Sequence, residues 1–157
     1  NLFHGSHGSG AEIGHMVLNP SETIPCNCGK FGCVEQYCSA TGIVRLAREY
    51  LAASANHSSL RNSANIAAKD VFDAAKAGDA AAKEILNQFY DYMGQFLGSL
   101  CSAVDPEVVV LGGGAAGAFF FLKKKKLLFS GFFLKIIQCI AEHLIIIRMH
   151  QPALIHS

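Results

Sequence analysis

Between residues 12 and 36 the chain reads EIGHMVLNPSETIPCNCGKFGCVEQ, which sets one His and three Cys in a short span flanked by Glu12 and Glu35. Cys26 and Cys28 are separated by one residue, Cys33 follows, and His15 stands upstream across a loop containing Pro20 and Pro25. Three thiolates and one imidazole complete a tetrahedral zinc shell with no position left for water, the mark of a structural site rather than a catalytic one. Gly29 and Gly32 permit the tight turn that brings three sulfurs onto one ion. The other reading, buried free thiols beside a loop His, fits this density of ligands poorly. We therefore expect His15, Cys26, Cys28 and Cys33 to close a loop that a hydrophobic core alone would not hold.

The remaining cysteines, at 38, 101 and 139, are scattered, so a disulfide framework is the poorer reading and a reducing cytoplasm the better one. They read as ordinary buried thiols, and His4, His7 and His57 as surface residues. A length of 157 residues with 51% apolar content suffices for one ordinary domain. A net charge of +1 provides no field to recruit nucleic acid or an anionic membrane. The abrupt Gly-rich opening NLFHGSHGSG, with no initiator Met, leads us to expect that the natural N-terminus lies upstream.

Helical patterning begins after the cluster. Ser39 is a candidate N-cap for a helix with apolar residues at Ile43, Leu46, Ala47, Tyr50 and Leu51. NIAAKDVFDAAKAGD predicts a second helix, stopped at Gly78. Beyond Asp79, a stripe through Ala82, Ile85, Leu86, Phe89, Met93, Phe96, Leu97, Leu100 and Val104 predicts a long helix with one buried face. Gly94 and Gly98 on it suggest close packing.

Val108 to Leu111 form an apolar run without alternation, expected as a strand buried on both faces of a helix-covered sheet. Gly112, Gly113 and Gly114 follow, and such a turn is as often a plain strand exit as a nucleotide or phosphate contact. The last forty residues change character: one acidic residue, Glu142, four Lys at 123–126, and dense Phe, Leu and Ile without a clean period. Lys135, Glu142 and His143 interrupt the stretch 127–147, which favours a solvated Lys turn between buried segments over a membrane span.

HGSGAEIGHM followed by CNCGKFGCVEQ resembles the signature of the ROK family of bacterial sugar kinases and repressors. There, a Glu-x-Gly-His element precedes Cys-x-Cys-Gly-x-x-Gly-Cys-x-Glu. The resemblance continues through YCSATGIVRLAREYL, AKDVFDAAKAGD and VDPEVVVLGGG, covers roughly residues 5–117, and is closest in flavour to the family's glucokinases. It implies an α/β fold of the ribonuclease H-like type shared with actin and hexokinase. Residues 1–117 would be the C-terminal half, with an inserted zinc loop at 12–36, and residues 118–157 an atypical tail. It also implies that Glu12 and Glu35 accept hydrogen bonds from sugar hydroxyls, that His15 binds zinc through one ring nitrogen and faces the sugar with the other, and that Gly112 to Gly114 edge the nucleotide site. Without the family, Glu12 and Glu35 read as solvated loop carboxylates or helix-start caps. Independently of it, a carboxylate accepts two hydroxyl hydrogen bonds, and a metal at His15 and near Glu35 would order both arms of a pocket.

The family's general-base Asp and its Asp-x-Gly-x-Thr phosphate turn are not found in this chain, so no catalytic residue is assigned within it. The tail departs from the family, and its loss of acidic residues suggests a shifted reading frame or an uncertain sequence assignment. Two functions stand: an ATP- and Mg-dependent hexose kinase, acting on glucose as a cytoplasmic homodimer, with this chain alone inactive; or the sugar-sensing domain of a ROK repressor, whose DNA-binding part would lie upstream. Neither involves a membrane.

Overall fold

The computed structural model describes residues 5–8, 10–106, 108–111, 128–129, 132–139 and 144–150. The chain divides into two compact units, Asn1–Met93 and Gly94–Ser157.

The first unit begins with the loop 12–36, which opens on a single 3-10 turn, Ile13–His15, and ends in a one-turn helix, α1 (Glu35–Cys38). Neither element was expected, because each is too short to show a period. Helix α2 (Ala40–Ala53) starts where its cap predicts: Ser39 is extended and its hydroxyl accepts the Gly42 N–H at 3.0 Å. Its buried face comprises Gly42, Ile43, Leu46, Ala47 and Leu51, while Tyr50 is only half-buried and its hydroxyl meets the Asn56 side-chain amide at 3.1 Å. Gly42 has a packing reason to be Gly, since a Cβ there would stand 2.8 Å from the Tyr37 carbonyl carbon and 2.9 Å from the Gln36 oxygen. Close approach of α1 and α2 depends on that missing atom.

Arg61, in the 3-10 turn Ser59–Asn62, turns back on the end of α2 and donates to the carbonyls of Leu51 and Ser54, groups a helix C-terminus leaves open, and to that of Asn56 just beyond it. Helix α3 (Ala68–Lys76) packs on α2, buries Val71, Phe72, Ala74 and Ala75, and ends at Ala77 with Gly78 at φ +102°. That backbone angle is the left-handed one the Gly predicted. Asp79 then caps α4 (Ala80–Val104). Its Oδ1 accepts the Ala82 N–H at 3.0 Å, and its Oδ2 accepts from the Ser59 N–H and the hydroxyls of Ser58 and Ser59 at 2.8–2.9 Å. Burial opposes the charge on Asp79, but these donors outweigh it and hold the carboxyl down at about 2.

The predicted stripe on α4 is present: Ala82, Ile85, Leu86, Phe89, Met93, Phe96 and Leu97 are buried, joined by Ala81, Tyr90 and Cys101. It stops short of the expected end, because Leu100 is half-buried and Val104 is 61% exposed. Among the described residues, no helix is long and apolar enough to cross a membrane.

In the second unit, strands β1 (Val108–Leu111), β2 (Leu128–Phe129), β3 (Phe132–Cys139) and β4 (Leu144–His150) form one sheet in the order β1-β4-β3-β2. Every pairing is antiparallel, with Val108 opposite Arg148 and Phe133 opposite His150. This corrects the expectation for β1. Among the described residues it is an edge strand, Val110 is 52% exposed, and it is not buried on both faces; an antiparallel edge can leave a face to water. The apolar stretch 127–147 holds strands. Its lack of alternation hid them from pattern reading, although Ile, Leu and Phe suit strands. The Lys block at 123–126 lies outside the described residues.

Candidate metal centre

Four ligand atoms converge from three places in the loop. His15 comes from the end of its 3-10 turn, after which Met16 and Val17 run extended; Val17 pairs antiparallel with Cys33, and the Val34 N–H donates to the Met16 carbonyl at 2.9 Å. Cys26 and Cys28 sit in a tight turn closed by Gly29 N–H to Cys26 O at 2.8 Å and Cys26 N–H to Lys30 O at 2.7 Å, with Gly29 at φ +83°. Cys33 follows Gly32, whose carbonyl accepts from the N–H groups of both Leu18 and Asn19, at 2.7 and 3.1 Å. Gly32 has φ +71°, and a Cβ on it would lie 1.8 Å from the Asn19 oxygen. Only Gly fits there.

The four ligand atoms of His15, Cys26, Cys28 and Cys33 lie within 4.8 Å of one another. Cys28 Sγ is 3.6 Å from Cys33 Sγ, and Cys26 Sγ is 3.8 Å from His15 Nδ1. Zn–S bonds of ~2.3 Å in a tetrahedron separate two sulfurs by about 3.8 Å. Both the donor set and its spacing therefore suit zinc in a closed shell, and the Cys3His cluster expected from the sequence is formed. Sulfur burial is uneven: Cys26 and Cys33 are buried, Cys28 exposed. The Lys30 backbone N–H holds the Cys28 thiol below its ordinary value, whereas burial, with the neighbouring Cys28 and Cys26 sulfurs, pushes Cys33 up to about 12.

Glu35 opens α1 beside this cluster, and its Oε2 is 3.7 Å from His15 Nδ1, with both side chains part-exposed. Glu12 precedes the 3-10 turn and is exposed; its carbonyl accepts the His15 N–H at 3.1 Å, and its side chain makes no cap bond. A cleft of about 250 Å³ beside the cluster is lined by Cys26, Glu35, Gln36, Thr41 and Arg45 among others. His7 and His57 are exposed and Cys101 buried, as expected, while Cys38 is intermediate, burial pushing its thiol up to about 12. His4, Gly112, Gly113 and Gly114 lie outside the described residues, as does the side-chain environment of Cys139.

Sequence reasoning missed the polar cluster that holds the loop to the helices. Glu22 accepts the Tyr37 hydroxyl at 2.5 Å, the N–H groups of Thr23 and Ile24 at 2.9 Å each, and the Arg45 guanidinium. Asn19 donates to the same Tyr37 oxygen at 3.0 Å, and the Arg45 guanidinium carbon sits 5.1 Å from the Tyr37 ring centroid. Tyr37 is fully buried, its ring 4.3 Å from that of Tyr92 on α4. Burial disfavours charge on Glu22, but Tyr37, the Ile24 N–H, Arg45 and the Thr23 N–H prevail and hold it down at about 2. Its only sequence signal was a carboxylate between two prolines.

The ROK family model matches residues 1–130. A glucokinase of Halalkalibacterium halodurans is 40% identical over 117 residues, 71% of this chain and 34% of that protein. An N-acetylmannosamine kinase of Yersinia pestis is 33% identical over 110 residues, 70% of this chain and 33% of that one. Among solved structures, a ROK family glucokinase from Streptomyces griseus in complex with glucose and AMPPNP superposes with a TM-score of 0.68 at 31% identity, covering 75% of this chain and 39% of that one. A ROK family transcriptional regulator, a homologue of the E. coli MLC protein, gives a TM-score of 0.56 at 28% identity over 67% of this chain and 26% of that one. The chain spans about a third of the length of the curated relatives it matches.

Proposed function

The chain belongs to the ROK family, and on that premise we propose that it is the sugar-binding, zinc-holding part of a cytoplasmic, dimeric ATP-dependent hexose kinase of the glucokinase type. The observation that carries the reading is the contact between Glu35 and His15 at a closed Cys3His cluster, in a chain 40% identical over its matched length to a glucokinase. Zinc would be held by His15, Cys26, Cys28 and Cys33, supplying no chemistry beyond fixing the loop. Glu12 and Glu35 then accept hexose hydroxyls, with the metal at His15 fixing the loop beside Glu35. Gly112 to Gly114 edge the site for ATP and Mg, within the wider ribonuclease H-like fold, in which residues 1–117 are one half. Phosphoryl transfer needs a base at the attacking hydroxyl and a phosphate cradle. None of the chain's own carboxylates is assigned that role: Asp73 and Asp91 are exposed, and Asp70 accepts the Ala67 N–H at 2.9 Å at the start of α3.

Saturation-transfer NMR with millimolar glucose tests the sugar site, with N-acetylmannosamine as competitor. Wild-type chain should show glucose signal that falls in Glu35→Gln and Glu12→Gln while zinc content is unchanged, because each substitution removes a charged acceptor and no metal ligand. Equal signal in both variants and wild type would remove these residues from the site. The likeness to a transcriptional regulator supports a second reading, a sugar-sensing domain. Joining the chain to the remaining sequence of a protein of the relatives' length and assaying ADP release separates the two: a kinase turns over, a sensor binds hexose without turnover.

A further inference from the structure

We propose that Cys28 is a peroxide-sensitive modification site, with Cys33 its resolving partner, so that oxidation of this pair opens the metal loop. The inference rests on the zinc reading above. Its geometry, however, belongs to this chain.

The three sulfurs are not equivalent. Cys26 is buried and faces His15 Nδ1, and Cys33 is wholly buried behind the Val17 bridge, whereas Cys28 sits at the outer edge of its turn and is exposed. A dissolved oxidant therefore meets Cys28 first. Cys33 Sγ stands 3.6 Å away, so the pair needs to close by less than 2 Å to reach the ~2.05 Å of a disulfide. Cys28 precedes Gly29, whose Cβ position has nothing within 4 Å, so the turn that carries the exposed sulfur is not packed against other residues on that side. Cys38 and Cys101 have no sulfur partner described, and Cys101 is buried.

The chemistry balances with a hydroperoxide as oxidant. The Cys28 thiolate attacks one peroxide oxygen, the O–O bond breaks, and the other oxygen leaves with a proton as water or alcohol, giving a sulfenic acid. Cys33 thiolate then attacks Cys28 sulfur, the S–OH bond breaks, and the hydroxide released takes a proton from solvent and leaves as water. Two thiolates have lost two electrons and the peroxide has gained them. Two of the four metal donors become disulfide sulfurs, which bind zinc poorly, so the ion departs.

The test uses the zinc-loaded chain, its metal quantified before any oxidant is added, so that absence of zinc at the outset counts against the metal reading rather than this one. Hydrogen peroxide is then titrated while a chromogenic chelator reports zinc release, and tryptic peptides are mapped at each point. Trypsin cuts after Lys30, between the two cysteines, so a Cys28–Cys33 bond keeps two peptides joined until dithiothreitol separates them, and fragmentation distinguishes it from a bond at Cys26. We expect one equivalent of zinc released in step with the joined peptide, reversal by dithiothreitol with added zinc, and no change in either readout in Cys38→Ser. Zinc retained with Cys28 unmodified, zinc released without the joined peptide, or first oxidation at Cys38 or Cys101 would each overturn the proposal.

Discussion

Replacing Glu22 by Gln keeps the shape of the side chain and removes the charge that the loop's polar cluster is built around. In the folded chain this carboxylate takes the Tyr37 hydroxyl, two backbone N–H groups and the Arg45 guanidinium, with only 7% of its side chain exposed. A carboxyl held at about 2 in place of its ordinary 4.5 contributes roughly 3 kcal/mol to stability at neutral pH. The sign follows from the direction. Because the folded value is depressed, this stabilisation is complete above about pH 4.5 and disappears as the pH falls towards 2. Glu22→Gln should therefore cost about 3 kcal/mol at pH 7, and the gap to wild type should shrink to under about 1 kcal/mol near pH 2.5. Urea unfolding of both proteins, followed by circular dichroism at several pH values, measures the gap directly. Other carboxylates such as Asp79 titrate in both proteins and cancel in the difference. A cost that stays constant from pH 7 to 2.5, or one below about 1 kcal/mol at pH 7, would refute a charged Glu22 as the clamp.

Gly32→Ala should abolish stable metal binding and lower the melting temperature, since φ +71° and a 1.8 Å approach to Asn19 O leave no relaxed position for a methyl group; zinc stoichiometry by elemental analysis checks it. Asp79→Ala should destabilise by about 1–2 kcal/mol through loss of the α4 cap and the bonds to Ser58 and Ser59, read from urea midpoints at pH 7; finding no change would remove its role as a cap. Cys28→Ala should release zinc and raise hydrogen exchange across 12–36 while α3 keeps its protection, because the lost ligand acts on the loop alone. In a coupled assay with glucose and ATP, residues 1–157 alone should give ADP at background, and turnover abolished by a change at Asp70, Asp73 or Asp91 would overturn the catalytic map.

What the sequence by itself determined about this protein is local. Ser39 and Gly78 mark helix ends because a cap bond and a left-handed backbone angle are made by neighbouring residues, and the α4 stripe repeats with the helical period. The metal ligands were readable for a related reason: few arrangements other than a metal gather three Cys and a His in one Gly-rich loop. Tertiary structure decided the rest. Glu22 and Arg45 are 23 residues apart, and Tyr37 and Asn19 18 apart, so nothing in their spacing announces that they meet. The 3.7 Å contact of Glu35 with His15, and the tight seat of Gly32 on Asn19, likewise exist only once the loop has closed. In the second unit, Val108 to Leu111 carry the same apolar run whether they lie at a sheet's centre or its edge. Strand order is set by hydrogen bonds to β4, more than thirty residues away along the chain, and period alone holds no record of that partner.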